Sequence, residues 1–348
     1  MLLYIHIPFC DSKCFYCAFN SYTTLFHLKD DYMKALKQQL QYDLEKNLKN
    51  SKEKLETVFI GGGTPSCVKA SKYEEIFQII KPYLKENCEI TTEANPNSAT
   101  YEWLTGMKKL GVNRVSFGVQ SFNNEKLKFL GRAHSSDSAI EAINNAKVIG
   151  FDSINCDIIY GVKNDSFELL KNDFDTIKNL DIQHLSAYSL TIEEGTKFFK
   201  KPSVKIDDEE LSIKIFDYLK TIGFKQYEIS NFAKDEKFQS QHNFGYWEHK
   251  NYLGVGCGAV GFMNDHRYYT IKDVHEYIKT PTNYEIEELS EDDIKTEKIL
   301  LGLRCSNGFD VTLLNEGELN RVNELVVEEK LVLKDNRVYN FNFLLADE

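Results

Sequence analysis

The first seventeen residues, MLLYIHIPFCDSKCFYC (1–17), combine an apolar run with three closely spaced cysteines. The apolar run Leu2–Ile7 has the length and composition of a buried strand. Cys10, Cys14 and Cys17 follow it directly, with three and then two residues between successive cysteines. A buried strand that leads straight into three closely spaced thiols predicts a metal-binding loop at the carboxyl end of the strand.

Two kinds of metal centre fit this loop. Three thiolates can hold three irons of a [4Fe–4S] cubane and leave the fourth iron open to a ligand. A structural zinc site is the alternative, but zinc in that role takes four ligands, usually as two close pairs. His6 or Cys67 could supply the fourth ligand, so the zinc alternative stays open on the residues alone.

The residues that follow alternate short strand-like runs with longer amphipathic stretches, and this alternation predicts parallel βαβ units of an α/β protein. Functional residues in such a sheet lie at the carboxyl ends of the strands. The strand candidates are Leu2–Ile7, Thr57–Ile60, Glu89–Thr92, Arg114–Val119, Ile154–Ile159 and His184–Leu190, and the helix candidates are Leu28–Leu48, Tyr73–Leu84, Ser138–Ile149 and Phe167–Leu180.

A charged break at Lys200-Lys201-Pro202 separates this pattern from a smaller C-terminal part, so we predict domains at 1–205 and 206–348. The second part begins with a helical pattern and continues with a segment rich in aromatic residues, glycine and histidine. Its tail predicts a small α+β module such as a winged helix. Its candidate elements are the helices Asp208–Leu219 and Asp292–Gly302 and the strands Leu331–Leu333 and Val338–Phe343.

The composition argues against three classes of protein: nucleic-acid-binding, membrane-spanning and secreted proteins. A formal net charge of −11 argues against a nucleic-acid partner, which would need a basic face. We expect no transmembrane segment, since no apolar run has the length of a membrane span, and the amino terminus does not resemble a secretory signal. The expected location is therefore the cytoplasm, where the eight cysteines would be thiols or metal ligands.

The run Tyr4-Ile-His-Ile-Pro-Phe-Cys10-Asp-Ser-Lys-Cys14-Phe-Tyr16-Cys17 resembles radical S-adenosylmethionine (SAM) proteins of the oxygen-independent coproporphyrinogen III oxidase-like (HemN-like) group. The resemblance extends over nearly the whole chain. It implies a partial (β/α)6 barrel with a smaller C-terminal α+β domain, a [4Fe–4S] cluster on the three cysteines, and SAM on the open iron. In such proteins an electron from the cluster cleaves a C–S bond of SAM and yields a 5′-deoxyadenosyl radical.

The resemblance also implies that further motifs, at the ends of the predicted strands, bind SAM. In Ile60-Gly-Gly-Gly-Thr-Pro65, the amino group of SAM would contact Gly62, Gly63 and Thr64. The other implied contacts are Glu93 with polar groups of SAM, Gln120 and Asp157 with the ribose, Ile159 with the adenine, Arg132 with the methionine carboxylate, and Tyr4 and Tyr16 around cluster and SAM. Each of these residues, considered alone, has an ordinary explanation: a tight turn for the glycines, a surface or capping role for the polar residues, and packing for the tyrosines. Their succession at strand ends after a cysteine triad favours SAM binding instead.

Two departures separate this chain from the oxidase branch of the group. The oxidases usually have a longer amino-terminal extension and a fourth cysteine two residues beyond the triad, whereas this triad begins at residue 10 and position 19 is Phe19. In both respects the chain is similar to the other branch, the HemW-type haem chaperones.

That branch also has a His-Asn-x-x-Tyr-Trp motif, present here as His242-Asn-Phe-Gly-Tyr246-Trp247. A neutral imidazole is a good axial ligand for haem iron, and both aromatic rings could lie flat against a porphyrin. A buried histidine with satisfied hydrogen bonds and two packing aromatics is the alternative, and Cys257 is a second candidate ligand.

The resemblance therefore implies a haem chaperone that binds haem and transfers it to acceptor haem proteins, such as membrane-bound proteins of the respiratory chain. The alternative is an enzyme that oxidatively decarboxylates two propionates of coproporphyrinogen III to vinyl groups. The missing fourth cysteine and the His-Asn-x-x-Tyr-Trp motif favour the chaperone.

Overall fold

The structure is a computed structural model and describes residues 1–345 of the 348-residue chain. The strands of this part are β1 Leu2–Ile7, β2 Leu55–Gly62, β3 Leu84–Ala94, β4 Arg114–Gln120, β5 Ser153–Tyr160, β6 His184–Ser189, β7 Lys225–Gln226, β8 Asn231–Ala233, β9 Tyr252–Val255, β10 Val260–Met263, β11 His266–Thr270, β12 Tyr284–Glu288, β13 Phe309–Asp310, β14 Leu331–Lys334 and β15 Arg337–Asn340. The helices are α1 Lys29–Leu48, α2 Glu74–Ile80, α3 Tyr101–Leu110, α4 Asn124–Leu130, α5 Ser136–Ile149, α6 Phe167–Asn179, α7 Glu209–Thr221, α8 Gln241–Trp247, α9 Val274–Lys279, α10 Glu291–Gly302 and α11 Glu316–Val327. Within this part we find no helix that combines the length and the hydropathy of a membrane span.

Strands β1 to β6 lie side by side in chain order, and each pairs in parallel with the next. Most of their residues are buried, as is usual for parallel strands, and in β4 all residues but Gly118 are buried. The exposed exceptions are Lys85, Glu86 and Asn87 of β3 and Tyr188 and Ser189 of β6. The predicted α/β class is confirmed. All six predicted strands are present, and Leu2–Ile7 matches at both ends.

One predicted helix, Tyr73–Leu84, is wrong over its last four residues. Helix α2 ends at Ile80 and a short 3-10 turn, Lys81–Tyr83, follows it before β3 begins at Leu84. Pro82 has no amide hydrogen, and its ring would clash with the carbonyl one turn earlier if the α-helix continued.

The C-terminal third adds strands to both ends of the parallel sheet. Strand β9 pairs in parallel with β1, and β10, β11 and β12 continue that end as antiparallel strands. At the other end β8 pairs antiparallel with β6. Strands from both predicted domains therefore share one sheet, while β13, β14 and β15 form a separate small sheet beside α10 and α11. The division into 1–205 and 206–348 stays a prediction.

Gly256 makes the parallel contact between β9 and β1 possible. Its φ is +108°, and a Cβ placed there would lie 2.6 Å from the His6 carbonyl oxygen and 2.7 Å from the Tyr32 hydroxyl oxygen. The same hydroxyl donates a hydrogen bond to that carbonyl (2.6 Å) and accepts one from the Cys257 amide (3.1 Å). The glycine therefore lies where β1, α1 and the chain after β9 meet without room for a side chain.

We predict that Gly256→Ala destabilises the chain far more than Gly111→Ala, which serves as its matched control. Gly111 has nearly the same φ, +110°, but nothing lies within 4 Å of an added Cβ. Both changes incur the strain of a left-handed alanine, about 1–2 kcal/mol, whereas only Gly256→Ala adds a backbone clash of about 1–3 kcal/mol. Urea unfolding of both variants measures the difference, and equal losses of stability would contradict the close approach described here.

Candidate functional site

The cysteine triad lies on a closed loop at the carboxyl end of β1. The amide of Cys10 donates to the Tyr22 carbonyl (3.1 Å), and the amide of Tyr22 donates to the Pro8 carbonyl (2.7 Å), so the two ends of the loop are joined. Cys10, Cys14 and Cys17 all line one cavity of about 430 Å³, which we call the triad cavity. Within residues 1–345 no three His, Cys, Asp or Glu side chains stand close enough together to hold a single metal ion.

Polar and cationic groups surround the three thiols. The Thr64 hydroxyl lies 3.2 Å from Cys10 Sγ, and Arg132 Nη1 donates to Cys14 Sγ at 3.3 Å. Burial raises the pKa of the Cys17 thiol, and the positive charges of Lys13 and Arg132 partly offset this effect. These neighbours suit thiolates that bind a metal centre, because they stabilise negative charge on sulfur.

Two buried carboxyl groups face the same cavity from neighbouring parts of the sheet. Glu93 ends β3 and accepts a hydrogen bond from the Gly62 amide (3.0 Å). Burial, and then the charge of Asp157, raise the pKa of Glu93 to about 8. Burial also raises the pKa of Asp157, which accepts a hydrogen bond from Asn155 (2.6 Å). A positively charged ligand would stabilise both carboxylates in this water-poor position.

Arg132 enters the cavity from the turn after α4. Its Nη2 donates to Asn95 Oδ1 (2.7 Å) and to the Gly118 carbonyl (2.5 Å). Its Nε is buried and has no hydrogen-bond partner within residues 1–345. A buried guanidinium with an unsatisfied donor fits a further acceptor such as a ligand carboxylate.

A backbone irregularity places Gln120 at the cavity. The register of β4 and β5 shifts between Phe117 and Gln120, and Gln120 has a φ of +71°. A bulge of this kind turns a side chain away from the regular alternation of the strand, and a left-handed glutamine is strained. Such strain is found most often at functional sites.

Asn95 is a site residue that the sequence analysis missed. It donates to the Thr64 hydroxyl (3.0 Å) and accepts from Arg132, so it links the loop after β2 to the turn after α4. The available signal was its position two residues beyond Glu93, at a strand end already singled out.

The structure brings most of the predicted residues together. Those that line the triad cavity are Cys10, Cys14, Tyr16, Cys17, Gly62, Gly63, Thr64, Glu93, Gln120, Arg132, Asp157 and Ile159. Tyr4 and His242 do not line it. They face a smaller cavity of about 200 Å³ deeper in the sheet, which Glu93 and Asp157 also line.

His242 lies on α8 with both imidazole nitrogens in hydrogen bonds. Nδ1 is 2.7 Å from the Thr57 hydroxyl, Nε2 is 2.9 Å from the Tyr246 hydroxyl, and the ring stacks on Phe59 with centroids 5.1 Å apart. Burial lowers the pKa of His242 to about 3, so the ring is neutral at physiological pH. A bond from His242 to iron would require that one of these hydrogen bonds break.

A second, larger cavity of about 1020 Å³ lies beside β9, β10 and α10, and we call it the aromatic cavity. Tyr246 and Trp247 of α8 line it, as do Tyr252 and Phe262. Ala18 and Phe19 line both this cavity and the triad cavity, so the segment after Cys17 separates the two.

Comparison with known proteins gives a family and a fold. The sequence profile of the radical SAM superfamily matches residues 4–177. The chain is 34% identical to the heme chaperone HemW of Lactococcus lactis over 318 residues, which cover 88% of this chain and 82% of the relative. It is 41% identical to HemW of Haemophilus influenzae and 40% identical to HemW of Escherichia coli, in each case over 74% of this chain and 69% of the relative.

Among solved structures, coproporphyrinogen III oxidase (HemN) from Escherichia coli matches 99% of this chain with a TM-score of 0.82 and covers 87% of the oxidase chain. The sequence identity is 20%, so this likeness concerns the fold alone.

Proposed function

The chain belongs to the radical SAM superfamily and, within it, to the HemW family, and from this membership we propose that it is a haem chaperone that binds haem and passes it to acceptor haem proteins. Membership of the superfamily also implies SAM and a [4Fe–4S] cluster. The observation that carries the proposal is the extent of the similarity. The superfamily profile ends at residue 177, whereas the similarity to the HemW of Lactococcus lactis covers 88% of this chain.

We assign three irons of the cluster to Cys10, Cys14 and Cys17. The three thiols line one cavity, and the Thr64 hydroxyl and the Arg132 guanidinium contact two of them. Thiolates are the ligands that iron–sulfur clusters prefer, and hydrogen bonds to sulfur tune such clusters. Bound cluster and SAM would together supply reductive cleavage of a C–S bond.

The rest of the triad cavity suits the polar end of SAM. The unsatisfied Nε of Arg132 suits the methionine carboxylate, and the positively charged ammonium and sulfonium groups suit a cavity with two buried carboxyl groups, Glu93 and Asp157. Gly62 and Gly63 line the triad cavity and are our candidates for the amino group of SAM. A Cβ at Gly63 would lie 2.8 Å from the Phe9 carbonyl oxygen, so this glycine also lets the loop pack against the segment after β1. Gln120 and Asp157 remain our candidates for the ribose, with Thr64, Tyr16 and Ile159 as further contacts.

Haem contact is assigned to the His242–Trp247 motif and its surroundings. His242 faces the small cavity and Trp247 lines the aromatic cavity, while Tyr4 and Tyr246 line both. The motif therefore joins a polar interior to a large aromatic surface, and a flat macrocycle can bury its faces on such a surface.

The proposal includes a cytoplasmic location and membrane-bound acceptors among the partners. All eight cysteines are free thiols in this structure, which suits a reducing compartment.

Coproporphyrinogen III oxidation is the second candidate function, because the motif around Cys10, Cys14 and Cys17 resembles the HemN-like group as a whole. Phe19 counts against it, since the resembling oxidases usually have a cysteine at that position. A phenyl ring cannot ligate iron, so any fourth ligand of that kind is missing from this loop.

For the cluster, we predict that joint replacement of Cys10, Cys14 and Cys17 by Ala abolishes the broad visible absorption of anaerobically reconstituted protein. The control is joint replacement of Cys67, Cys88 and Cys305 by Ala, which removes three thiols elsewhere and should leave about four irons per chain. Iron and acid-labile sulfide analysis measures both. Full iron content in the first variant, or its loss in the control, would refute the assignment.

For SAM, we predict that Arg132→Ala weakens binding at least about tenfold, because a charge-assisted hydrogen bond to a carboxylate contributes about 1.5–3 kcal/mol. Asp157→Asn should weaken binding less, since a bond to a ribose hydroxyl has one neutral partner. Calorimetry on cluster-loaded protein measures both affinities, and Arg321→Ala, an exposed arginine on α11 paired with Glu324, serves as control. Unchanged SAM affinity in Arg132→Ala would show that the carboxylate partner lies elsewhere.

For the function itself, we predict that anaerobically reconstituted protein binds haemin and releases it to an apo haem protein on mixing. The same preparation, supplied with SAM and a reductant, should leave coproporphyrinogen III unchanged. Absorption spectra follow the haem, and chromatography of the porphyrins follows the second substrate. Consumption of coproporphyrinogen III by a preparation that neither binds nor transfers haemin would establish the oxidase instead.

A further inference from the structure

The aromatic cavity has the size and the walls for a large, flat ligand. Its volume of about 1020 Å³ is at the upper end of the range of about 300–1,000 Å³ usual for small-molecule sites. Tyr246 and Trp247 of α8, Tyr252 of β9 and Phe262 of β10 line it, and the aliphatic end of α10 also contributes. Apolar walls of this kind bury the faces of a macrocycle.

The charge of the lining is opposite to that of the chain. Lys250, Arg267, Lys272 and Arg304 line the cavity, with Glu297 as the one carboxylate among the described lining residues, although the whole chain carries a formal charge of −11. Arg267 pairs with Glu297 (2.5 Å) and with Glu287 (3.3 Å). Lys250 pairs in the same way with Glu248 (2.8 Å) and Glu56 (3.5 Å), neither of which lines the cavity. Cationic side chains therefore outnumber carboxylates in the lining itself, and they suit a ligand that carries carboxylates of its own.

His249 lies at the same cavity in a geometry typical of a metal ligand. Its Nε2 is 2.8 Å from a carboxylate oxygen of Glu297, its side chain is 5% exposed, and its ring packs edge-on against Phe262. Nδ1 makes no hydrogen bond within residues 1–345. Metal-binding histidines commonly give one ring nitrogen to a carboxylate and the other to the metal.

The backbone of His249 supports a functional role. It follows the end of α8 with a φ of +55°, where glycine or asparagine would be the usual residue. Its amide bonds to the Tyr246 carbonyl (3.0 Å), so the helix end holds the strained residue in place. Strain retained in this way is most common at binding and catalytic sites.

The two other histidines near the His242–Trp247 motif and the aromatic cavity are His6 and His242, and both ring nitrogens of each are already in hydrogen bonds. His6 bonds to the Tyr4 hydroxyl through Nδ1 (2.9 Å) and to the Asn20 carbonyl through Nε2 (2.8 Å). His242 has both of its nitrogens engaged, as described above, and does not line this cavity. Among these three, His249 alone can bind a metal without loss of a hydrogen bond.

We propose that the aromatic cavity is the haem site, that His249 is the axial ligand of the haem iron, and that Arg267 binds a propionate. This inference rests on the proposed haem-chaperone function and names the residues that perform it. Binding forms one bond, from Nδ1 of His249 to iron, while Nε2 keeps its proton on the hydrogen bond to Glu297. No oxidant, reductant or proton donor is needed.

The test of the ligand is a haemin titration of the full chain and of His249→Asn, followed by absorption and electron paramagnetic resonance spectroscopy. Asparagine tolerates the left-handed backbone, so this variant removes the imidazole without a new strain. The control is His266→Asn, because His266 also bonds a carboxylate, Glu288 at 3.1 Å, but is half exposed and outside the cavity. We expect a shifted Soret band and a changed iron spin state in His249→Asn alone, and their restoration by added imidazole.

The test of the propionate contact compares Arg267→Gln with the unaltered chain, using haemin and haemin dimethyl ester. Haemin affinity should fall about tenfold in the variant, while the affinity for the ester should be similar in both proteins because its carboxylates are blocked. If the variant and the unaltered chain bind haemin with equal affinity, Arg267 does not bind a propionate.

The outcomes separate this inference from the function on which it rests. If the unaltered chain binds no haemin, the proposed function fails. If it binds haemin and His249→Asn leaves the spectrum unchanged, the function stands and the assignment of His249 is wrong. If the spectrum instead changes in His242→Asn and added imidazole restores it, His242 is the axial ligand.

Discussion

The pairing of β1 on both of its edges constrains the position of the whole candidate site. The first strand of the chain pairs in parallel with β2 on one side and with β9 on the other, although β9 lies about 250 residues later. A strand with neighbours on both edges has no free backbone groups, so its position and register are fixed. Everything that leaves its carboxyl end is fixed with it, including the loop of Cys10, Cys14 and Cys17.

This constraint also explains why charged groups can be buried at the site. Glu93, Ser116, Asn155 and His184 follow one another in register across β3 to β6. Asn155 donates to the Ser116 hydroxyl (2.7 Å) and its oxygen contacts His184 Nδ1 (2.6 Å), while His184 Nε2 contacts the Tyr227 hydroxyl (2.7 Å). A buried polar row is stable only when its members satisfy one another. Arg132 Nε, one of the buried polar atoms left without a partner in residues 1–345, lies at the triad cavity, where a ligand can complete it.

The elements that the sequence predicted are those with a strong local pattern. Six parallel strands are near-continuous apolar runs, and the triad is a short motif at the end of the first, so composition and spacing suffice for both. The pairing of β9 with β1 has no local signal, because it depends on Gly256 fitting between distant segments. The hydrogen bonds of His242 to Thr57 and Tyr246 were equally invisible, since one partner comes from β2.

His249 is a second residue whose contacts cannot be predicted from the sequence. In the sequence it is one histidine in the charged turn Glu248-His249-Lys250, with no spacing that marks a ligand. Only the folded chain brings Glu297 of α10 to one ring nitrogen and the aromatic cavity to the residue. Sites assembled from several distant segments lie beyond what periodicity and motifs can reveal.

Phe19 lies between the two cavities and gives the loop after the triad a second role. It lines both cavities, and its side chain is largely exposed to them. The backbone around it is held, because Lys13 donates to the Phe19 carbonyl (2.6 Å) and Asn20 donates to the carbonyls of Cys257 (3.1 Å) and Lys272 (3.0 Å). The side of the loop away from the cysteines is thus bound to the C-terminal part of the chain. At this position a cysteine would place another thiol beside the triad, whereas a phenyl ring can only provide an apolar wall. With haem in the aromatic cavity, the Phe19 ring would contact the macrocycle on one side and face the triad cavity on the other. The two cofactor sites would then share this residue, while each keeps its own ligands.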